Sequence, residues 1–295
     1  MEKGILLTII CITYNQGQYI EKTIQNFLSQ KTNFEYEIII HDDASSDETV
    51  SILKKYKCAY PNKINLILQH ENQYSKSVNF IEKFMEPLIR GKYVAFCEGD
   101  DYWCDENKLQ DQVDFLEKNP NYIACAHQTI VKNIKAGTEK TINFLNHDQD
   151  ITFKSQLYQV FGKAHIHSNS LVYRRFILDK KPKFVSETRS FGDYQLLMYI
   201  SLLGNIRFIN KIMSVYNLFS TGSWTENSKK EESQLRIFKE RISLLLEVNR
   251  CTRYKYFNDI IYVIIKFHLR PFIALYLKVR HPLGYKVLKR ILAVF

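Results

Sequence analysis

Four short apolar runs, the first three each followed by a polar turn and a helical pattern, constrain this chain more than any other feature. They are Leu6–Ile12 (LLTIICI), Glu37–Ile40 (EIII), Ile64–Leu68 (INLIL) and Tyr93–Cys97 (YVAFC). Each is rich in β-branched or aromatic residues, and such near-continuous apolar runs suit strands buried on both faces. Between them, Ile20–Leu28, Thr49–Tyr56 and Ser77–Ile89 read as helices. Ile20, Ile24, Phe27 and Leu28 share one face of the first, and Ser46 or Asp47 can cap the second. This rhythm predicts an α/β fold: a mostly parallel central sheet with right-handed crossovers and flanking helices.

Sheets of this kind bind ligands beyond the carboxyl ends of their strands. That rule sets Thr13–Asn15, Asp42–Asp43 and Glu98–Asp101 along one rim. The last cluster lies in GKYVAFCEGDDYWCDENKLQ, where a buried-strand pattern breaks into three carboxylates within four residues. Side by side they repel one another unless a cation lies between them. Gly99 is expected to allow the tight turn that aims them at one point. Hard oxygen donors of this type suit Mg²⁺ or Mn²⁺ held together with a substrate phosphate. The alternative is a polar turn in which Asp101 or Asp105 caps a helix starting near Glu106. The turn after the first strand, TYNQG, contains neither GxGxxG nor GxxxxGK[ST], so it offers no phosphate cradle. A nucleotide diphosphate bound on this rim therefore calls for a metal.

Composition excludes several classes. At 295 residues, with 45% hydrophobic and 24% charged residues, the chain is globular. Its six cysteines are scattered, with no CxxC pair and no His at zinc spacing, which argues for reduced thiols and against a structural zinc. Met1–Leu7 is too short for a signal peptide's apolar region, and no apolar run reaches the ~18 residues that span a bilayer. The net charge of +10 is concentrated at one end: from Arg250 onward there are ten Lys or Arg against one acid, Asp259. No nucleic-acid-binding fold accompanies that charge, so a nucleic-acid role is not expected.

Taken in order, CITYNQGQYIEKTI, EIIIHDDASSDET and GKYVAFCEGDDYW followed by KLQDQVDFLEKNP resemble a family-2 glycosyltransferase. The match covers roughly the first 120 residues and continues more weakly to about Trp224. It implies a GT-A fold and the use of nucleotide-activated sugars. On that resemblance, Thr13, Tyr14 and Asn15 line the nucleotide pocket, and Asp43 accepts a hydrogen bond from the base, most often uracil. Glu98 and Asp100 fall on the acidic positions of the D-x-D pattern, with Asp100 as the direct metal ligand. Glu98 departs from the pattern in type but remains a hard oxygen donor. Asp101 is an adjacent candidate, and Lys76 and Asn79 sit where such enzymes approach the donor.

Asp193, in FGDYQ before the apolar run Leu196–Leu203, has two readings. It can be an N-cap. The resemblance matches it to the catalytic base of inverting members, since a sugar hydroxyl needs a carboxylate to take its proton during attack. Many relatives carry a basic residue and a His where this chain has Asn217 and Phe219. Ser223 and Trp224 are candidate donor or acceptor contacts. No Q-x-x-R-W motif is present, so one sugar per encounter is expected rather than processive polymerisation.

Other stretches were less directive. Leu109–Leu116 reads as a helix ended by Pro120, and Tyr122–Ala126 and Gln128–Lys132 as strands. Lys135–Asp150 reads as an irregular acceptor loop. His165 and His167 alternate at strand spacing, which fits metal or acceptor contact but equally a satisfied pair of strand residues.

Ser233–Val248 is a long amphipathic pattern, followed by a basic, aromatic-rich tail. Two domains are expected, a catalytic domain over 1–228 and a helical extension over 229–295. The tail suits an anionic membrane interface, the alternative being helices packed on the catalytic domain. The expected function is metal-dependent, inverting transfer of one sugar from a nucleotide sugar, with a UDP-sugar as donor. The acceptor is a saccharide or lipid-linked saccharide of surface polysaccharide synthesis, used by a cytoplasmic enzyme on the inner membrane face. A sugar-phosphate nucleotidyltransferase and a non-catalytic sugar-nucleotide-binding scaffold are the alternatives.

Overall fold

A computed structural model of the protein describes residues 4–76, 78–142, 147–160, 166–186, 192–218, 220 and 231–269. Ten strands form one sheet: β1 Leu7–Thr13, β2 Tyr36–Asp42, β3 Ile64–Leu68, β4 Tyr93–Glu98, β5 Tyr102–Trp103, β6 Tyr122–Asn133, β7 Thr138–Ile142, β8 Gln149–Ile151, β9 Val172–Arg174 and β10 Asn205–Leu218. Their order is β3-β2-β1-β4-β9-β6-β10-β5, with β7 beside β6 and β8 beside β10. The four runs read from sequence pair in parallel as β3-β2-β1-β4. Beyond β4 the sheet is mixed: β9 runs antiparallel to both β4 and β6, β6 and β10 are parallel, and β5, β7 and β8 pair antiparallel. Apolar periodicity marks a strand but not its direction, so only the N-terminal half was legible as parallel.

The helices are α1 Gly17–Leu28, α2 Thr49–Ala59, α3 Lys108–Lys118, α4 Phe153–Val160, α5 Lys183–Ser186, α6 Gly192–Leu203, α7 Glu231–Cys251 and α8 Phe257–Val263. Alternate residues of the central strands feed two cores, as the period of two requires. Ile9, Cys11, Ile38, Ile40, Ala95 and Cys97 pack with Ile20, Ile24 and Phe27 of α1 and with Leu109, Val113 and Leu116 of α3. Ile10, Ile39 and Val94 belong to the opposite core, which includes Leu197, Met198 and Ile200 of α6. Leu244, Leu245 and Val248 of α7 and Ile260 and Val263 of α8 join that second core. The described part of the C-terminal extension therefore packs on the catalytic body. The expected boundary at 228 falls among residues 221–230, outside the described residues.

Several expectations are corrected. The single helix expected over Ser77–Ile89 is a π-helical turn, Ile81–Met85, running into a 3₁₀ turn, Glu86–Leu88. Pro87 has no amide hydrogen to continue a helical ladder, which explains the shortening. The two strands expected over Tyr122–Ala126 and Gln128–Lys132 are one, β6. Lys135–Asp150 is not wholly irregular, because β7 and β8 lie within it. His167 is not on a strand: it caps the 3₁₀ turn Ser168–Ser170 by accepting from the Asn169 amide, and His165 lies outside the described residues.

Candidate active site

The loops after β1 and β2 are locked to each other. Asn15 and Ala44 both adopt left-handed φ, 50° and 66°. Asn tolerates that conformation, whereas Ala pays a steric penalty in it. The Asn15 amide donates to Ser45 Oγ at 2.8 Å, Gln16 N to Thr49 Oγ1 at 2.9 Å and Gly17 N to Asp47 Oδ2 at 2.9 Å. In return, Ser46 N donates to Asn15 Oδ1 at 2.8 Å. Three amides at the start of α1 are thus committed to side chains of the neighbouring loop. That end of α1 has been taken out of use as an anion cradle, in keeping with the absence of a glycine-rich motif.

Asp43 is buried, and its two oxygens accept from Gln73 N (2.7 Å) and Tyr74 N (3.0 Å). It therefore fixes the 70s turn against the rim, and each oxygen keeps a second lone pair for a base donor. Asp43 N donates to Thr13 O at 3.0 Å, which brings the loop after β1 alongside, and Tyr14 on that loop is 46% exposed. Lys76 is exposed and ion-paired with Glu71, and Asn79 Nδ2 donates to Glu82 Oε2 at 3.0 Å. Those two residues are engaged within their own segment.

The acid loop is held from three sides. Thr23 Oγ1 on α1 donates to Gly99 O (2.9 Å) and Asp101 O (2.6 Å). Asn217 Nδ2 near the end of β10 donates to Asp100 O at 2.5 Å. Gly99 is needed for space and not for an unusual backbone angle: a Cβ there would lie 2.5 Å from Gln16 Oε1 and 2.9 Å from both Ile20 Cδ1 and Thr13 Cβ. The expectation that its conformational freedom allows the tight turn is corrected to a close-packing role.

The two aspartates after it differ. Asp101 is fully buried, with Oδ1 accepting from Asn217 N (2.9 Å) and Oδ2 from Asn169 Nδ2 (3.0 Å). Asn169 in turn accepts from Ser214 Oγ at 2.9 Å, and Trp103 Nε1 donates to its carbonyl at 2.9 Å. Asp101, expected among the substrate contacts, thus ties the acid loop to β10 and to the 168–170 turn. Asp100 has one oxygen bonded by Ser220 Oγ, while Oδ1 is buried without a hydrogen-bond partner. Thr13 Oγ1 and Gln16 Oε1 are likewise buried and unpartnered. Burial pushes the Asp100 carboxyl above its ordinary range, and Asp101 rises well above it through burial and then the charges of Asp100 and Glu98.

Unpaired buried acceptors are rare, because each forfeits its hydration without replacement. Here they are one anionic and two neutral oxygens arranged about Gly99. A hard divalent ion fits such donors, as would a proton on the carboxylate. Glu98 ends β4 on the same loop and is half-buried. Among the described residues, no three His, Cys, Asp or Glu side chains form a metal-binding group. That is compatible with Mg²⁺, which takes one or two carboxylates and completes its shell with phosphate oxygens and water.

Asp193 is the second residue of α6, and its side chain lies outside the described residues, as do Phe219, Ser223 and Trp224. Thr23, Asn169 and Ser220 were not anticipated. Each is a single polar residue without a motif, brought to the acid loop from segments 68 to 120 positions distant.

Lys108 supplies an independent handle on the core below the loop. It is fully buried, donates to Gln112 Oε1 at 2.8 Å and lies 4.2 Å from the Trp103 ring centroid. Burial lowers its pKa from 10.5 to about 7. Unfolding therefore takes up a proton between those two pH values, so stability rises with pH across that window and the gain is lost as pH falls to about 7. The slope approaches about 1.4 kcal/mol per pH unit for one proton. Lys108→Met is expected to remove it, as read from denaturant midpoints at a series of pH values.

The family-2 glycosyl transferase domain matches residues 8–181. The chain belongs to that family. It is 34% identical over 219 residues to an uncharacterised protein of Mycobacterium tuberculosis, covering 74% of this chain and 60% of that one. The chain thus spans less than two thirds of the length of this relative. Over 128 residues it is 32% identical to the Escherichia coli UDP-Glc:alpha-D-GlcNAc-diphosphoundecaprenol beta-1,3-glucosyltransferase WfaP, covering 43% of this chain and 48% of that one. Among solved structures, the Pyrobaculum calidifontis mannosyltransferase PcManGT, determined with GDP-Man and Mn²⁺, superimposes with a TM-score of 0.58 at 16% identity. That superposition covers 98% of this chain and 79% of the other. The fold of this family-2 member is GT-A.

Proposed function

We propose that this family-2 glycosyltransferase transfers one sugar from a nucleotide sugar, with UDP as the carrier, to a hydroxyl of a saccharide or lipid-linked saccharide in surface polysaccharide synthesis. The observation that carries the reading is the buried, unpartnered Asp100 Oδ1 at the carboxyl end of β4. Asp100, with Glu98, holds Mg²⁺ or Mn²⁺ there. When bound, the ion supplies neutralisation of the charge that develops on the departing nucleoside diphosphate. Thr13, Tyr14, Asn15 and Asp43 form the nucleotide side of the pocket, and Trp224 contacts donor or acceptor.

The acceptor oxygen attacks the anomeric carbon as its bond to the diphosphate oxygen breaks, with those electrons leaving on the diphosphate. Asp193 takes the hydroxyl proton, from the face opposite the leaving group, so the anomeric configuration inverts. The E. coli relative, whose name specifies UDP-Glc and a diphosphoundecaprenol-linked acceptor, supports both the carrier and the lipid-linked class. An enzyme using such an acceptor works from the cytoplasmic side, peripherally on the membrane. Among the described residues no helix is long and apolar enough to cross a membrane.

Thermal unfolding with a panel of nucleotide sugars tests the reading. A UDP-sugar at about 100 times its Kd is expected to add about 2.7 kcal/mol of stability in the presence of Mn²⁺, and much less with chelator. Equal stabilisation with and without metal would remove the ion from the proposal.

A further inference from the structure

The turn between α7 and α8 combines backbone strain with exposed aromatic and basic side chains. Tyr254 N donates to Asn249 O (2.8 Å) and Arg253 N to Arg250 O (3.0 Å), the paired bonds of a Schellman helix end. The residue at the left-handed position of that motif is usually glycine. Here it is Arg253, at φ 51°, followed by Tyr254, also left-handed at φ 63°. Two consecutive residues with a Cβ are therefore held where side chains are disfavoured.

Tyr254 follows at the next position of the motif, and most of its surface faces solvent, at 61% exposed. Phe257, one turn on, is 48% exposed, and Arg250, Arg253 and Lys255 beside them are also exposed. Tyr262, Ile265 and Leu269 continue the exposed apolar line along α8 and the turn that follows it, with Lys266 among them. The inner faces of the same helices are buried in the core through Val248, Ile260 and Val263. The strained turn seats Tyr256 against Phe153 of the core, ring centroids 4.4 Å apart, and leaves Tyr254 and Phe257 on either side of it exposed.

We propose that the Arg253–Phe257 corner is a membrane-docking wedge, with Tyr254 and Phe257 entering the interface of an anionic bilayer and Arg250, Arg253 and Lys255 contacting its headgroups. Charge complementarity selects this occupant: Arg250 pairs with Glu247 at 3.0 Å, but Arg253, Lys255 and Lys266 follow, and the chain from Arg250 onward carries ten Lys or Arg against one acid, Asp259, itself engaged by Lys154 and Tyr158. Aromatic rings favour the bilayer interface, and each basic residue near an anionic surface is worth about fivefold in partitioning. The wedge deepens the lipid-linked-acceptor reading above and rests on it for its purpose.

Flotation of the full chain with phosphatidylglycerol vesicles and with phosphatidylcholine vesicles tests it. The unaltered protein should float with the anionic vesicles alone. Tyr254→Ser with Phe257→Ser should lower its partitioning about tenfold while leaving thermal stability unchanged. Arg253→Gly should do two opposite things: raise thermal stability by relieving strain, and lower partitioning about fivefold. Partitioning of both variants equal to that of the unaltered protein would overturn the wedge and leave membrane binding to other segments. So would a protein that ignores vesicles but self-associates through Tyr254. Transfer to a water-soluble acceptor analogue, measured in parallel, separates these outcomes from failure of the glycosyltransferase reading.

Discussion

Asp100→Ala protein is expected to lose Mn²⁺-dependent binding of the nucleotide sugar, with donor affinity falling on the order of 10²-fold or more. Removing groups that merely orient metal ligands already lowers affinity about 10- to 100-fold, so removing the ligand itself sets that as a floor. The Asp100 carboxylate is buried, with one oxygen accepting from Ser220 and the other without a partner. Without metal the variant should be no less stable than the parent, because burial already disfavours the charged carboxylate there. Calorimetric titration of donor with and without Mn²⁺ is the measurement. Unchanged Mn²⁺-dependent affinity would move the ion elsewhere and remove the basis of the proposed chemistry.

Asp193→Asn separates chemistry from binding. The amide keeps the shape but cannot accept a proton, so transfer should fall by about 10²- to 10⁴-fold while donor affinity stays within about twofold. The N-cap expected from sequence is corrected by α6 beginning at Gly192, and an Asp193 that merely favours that first turn predicts the opposite pattern, in which the rate hardly changes. Equal turnover by the two proteins would assign the base to another residue. Analysis of the anomeric configuration of the product, by proton coupling constants, checks inversion independently.

Much of the frame was legible because it follows from local chemistry. β3 falls on the run Ile64–Leu68, and β4 extends the run at Tyr93 by one residue to Glu98. Short apolar runs bounded by polar turns mark buried strands, and β1, β2 and β4 are largely buried while the edge strand β3 is only partly so. The acid loop was legible for a related reason: three adjacent carboxylates after a buried strand conflict with one another, and such conflicts mark function. The helix expected over Ser77–Ile89 is cut to two short turns because Pro87 cannot continue the ladder that the apolar spacing suggests. The antiparallel half of the sheet was hidden because strand direction leaves no trace in side-chain pattern.

What the sequence determined by itself was the strand-helix alternation, the rim on which ligand groups gather and the acids that gather there. Only the tertiary structure divided labour among those acids. Asp100 and Asp101 are adjacent and identical in type, yet Asn169 and Asn217 claim both oxygens of one, while the other keeps an oxygen unpaired. The tertiary structure also showed that the three amides opening α1 are occupied and that Gly99 is a matter of space. The physical reason is one of range. Propensity and burial pattern act between near neighbours in the chain, whereas the hydrogen bonds that distinguish two carboxylates come from residues 68 and 116 positions away, which only folding brings within 3 Å.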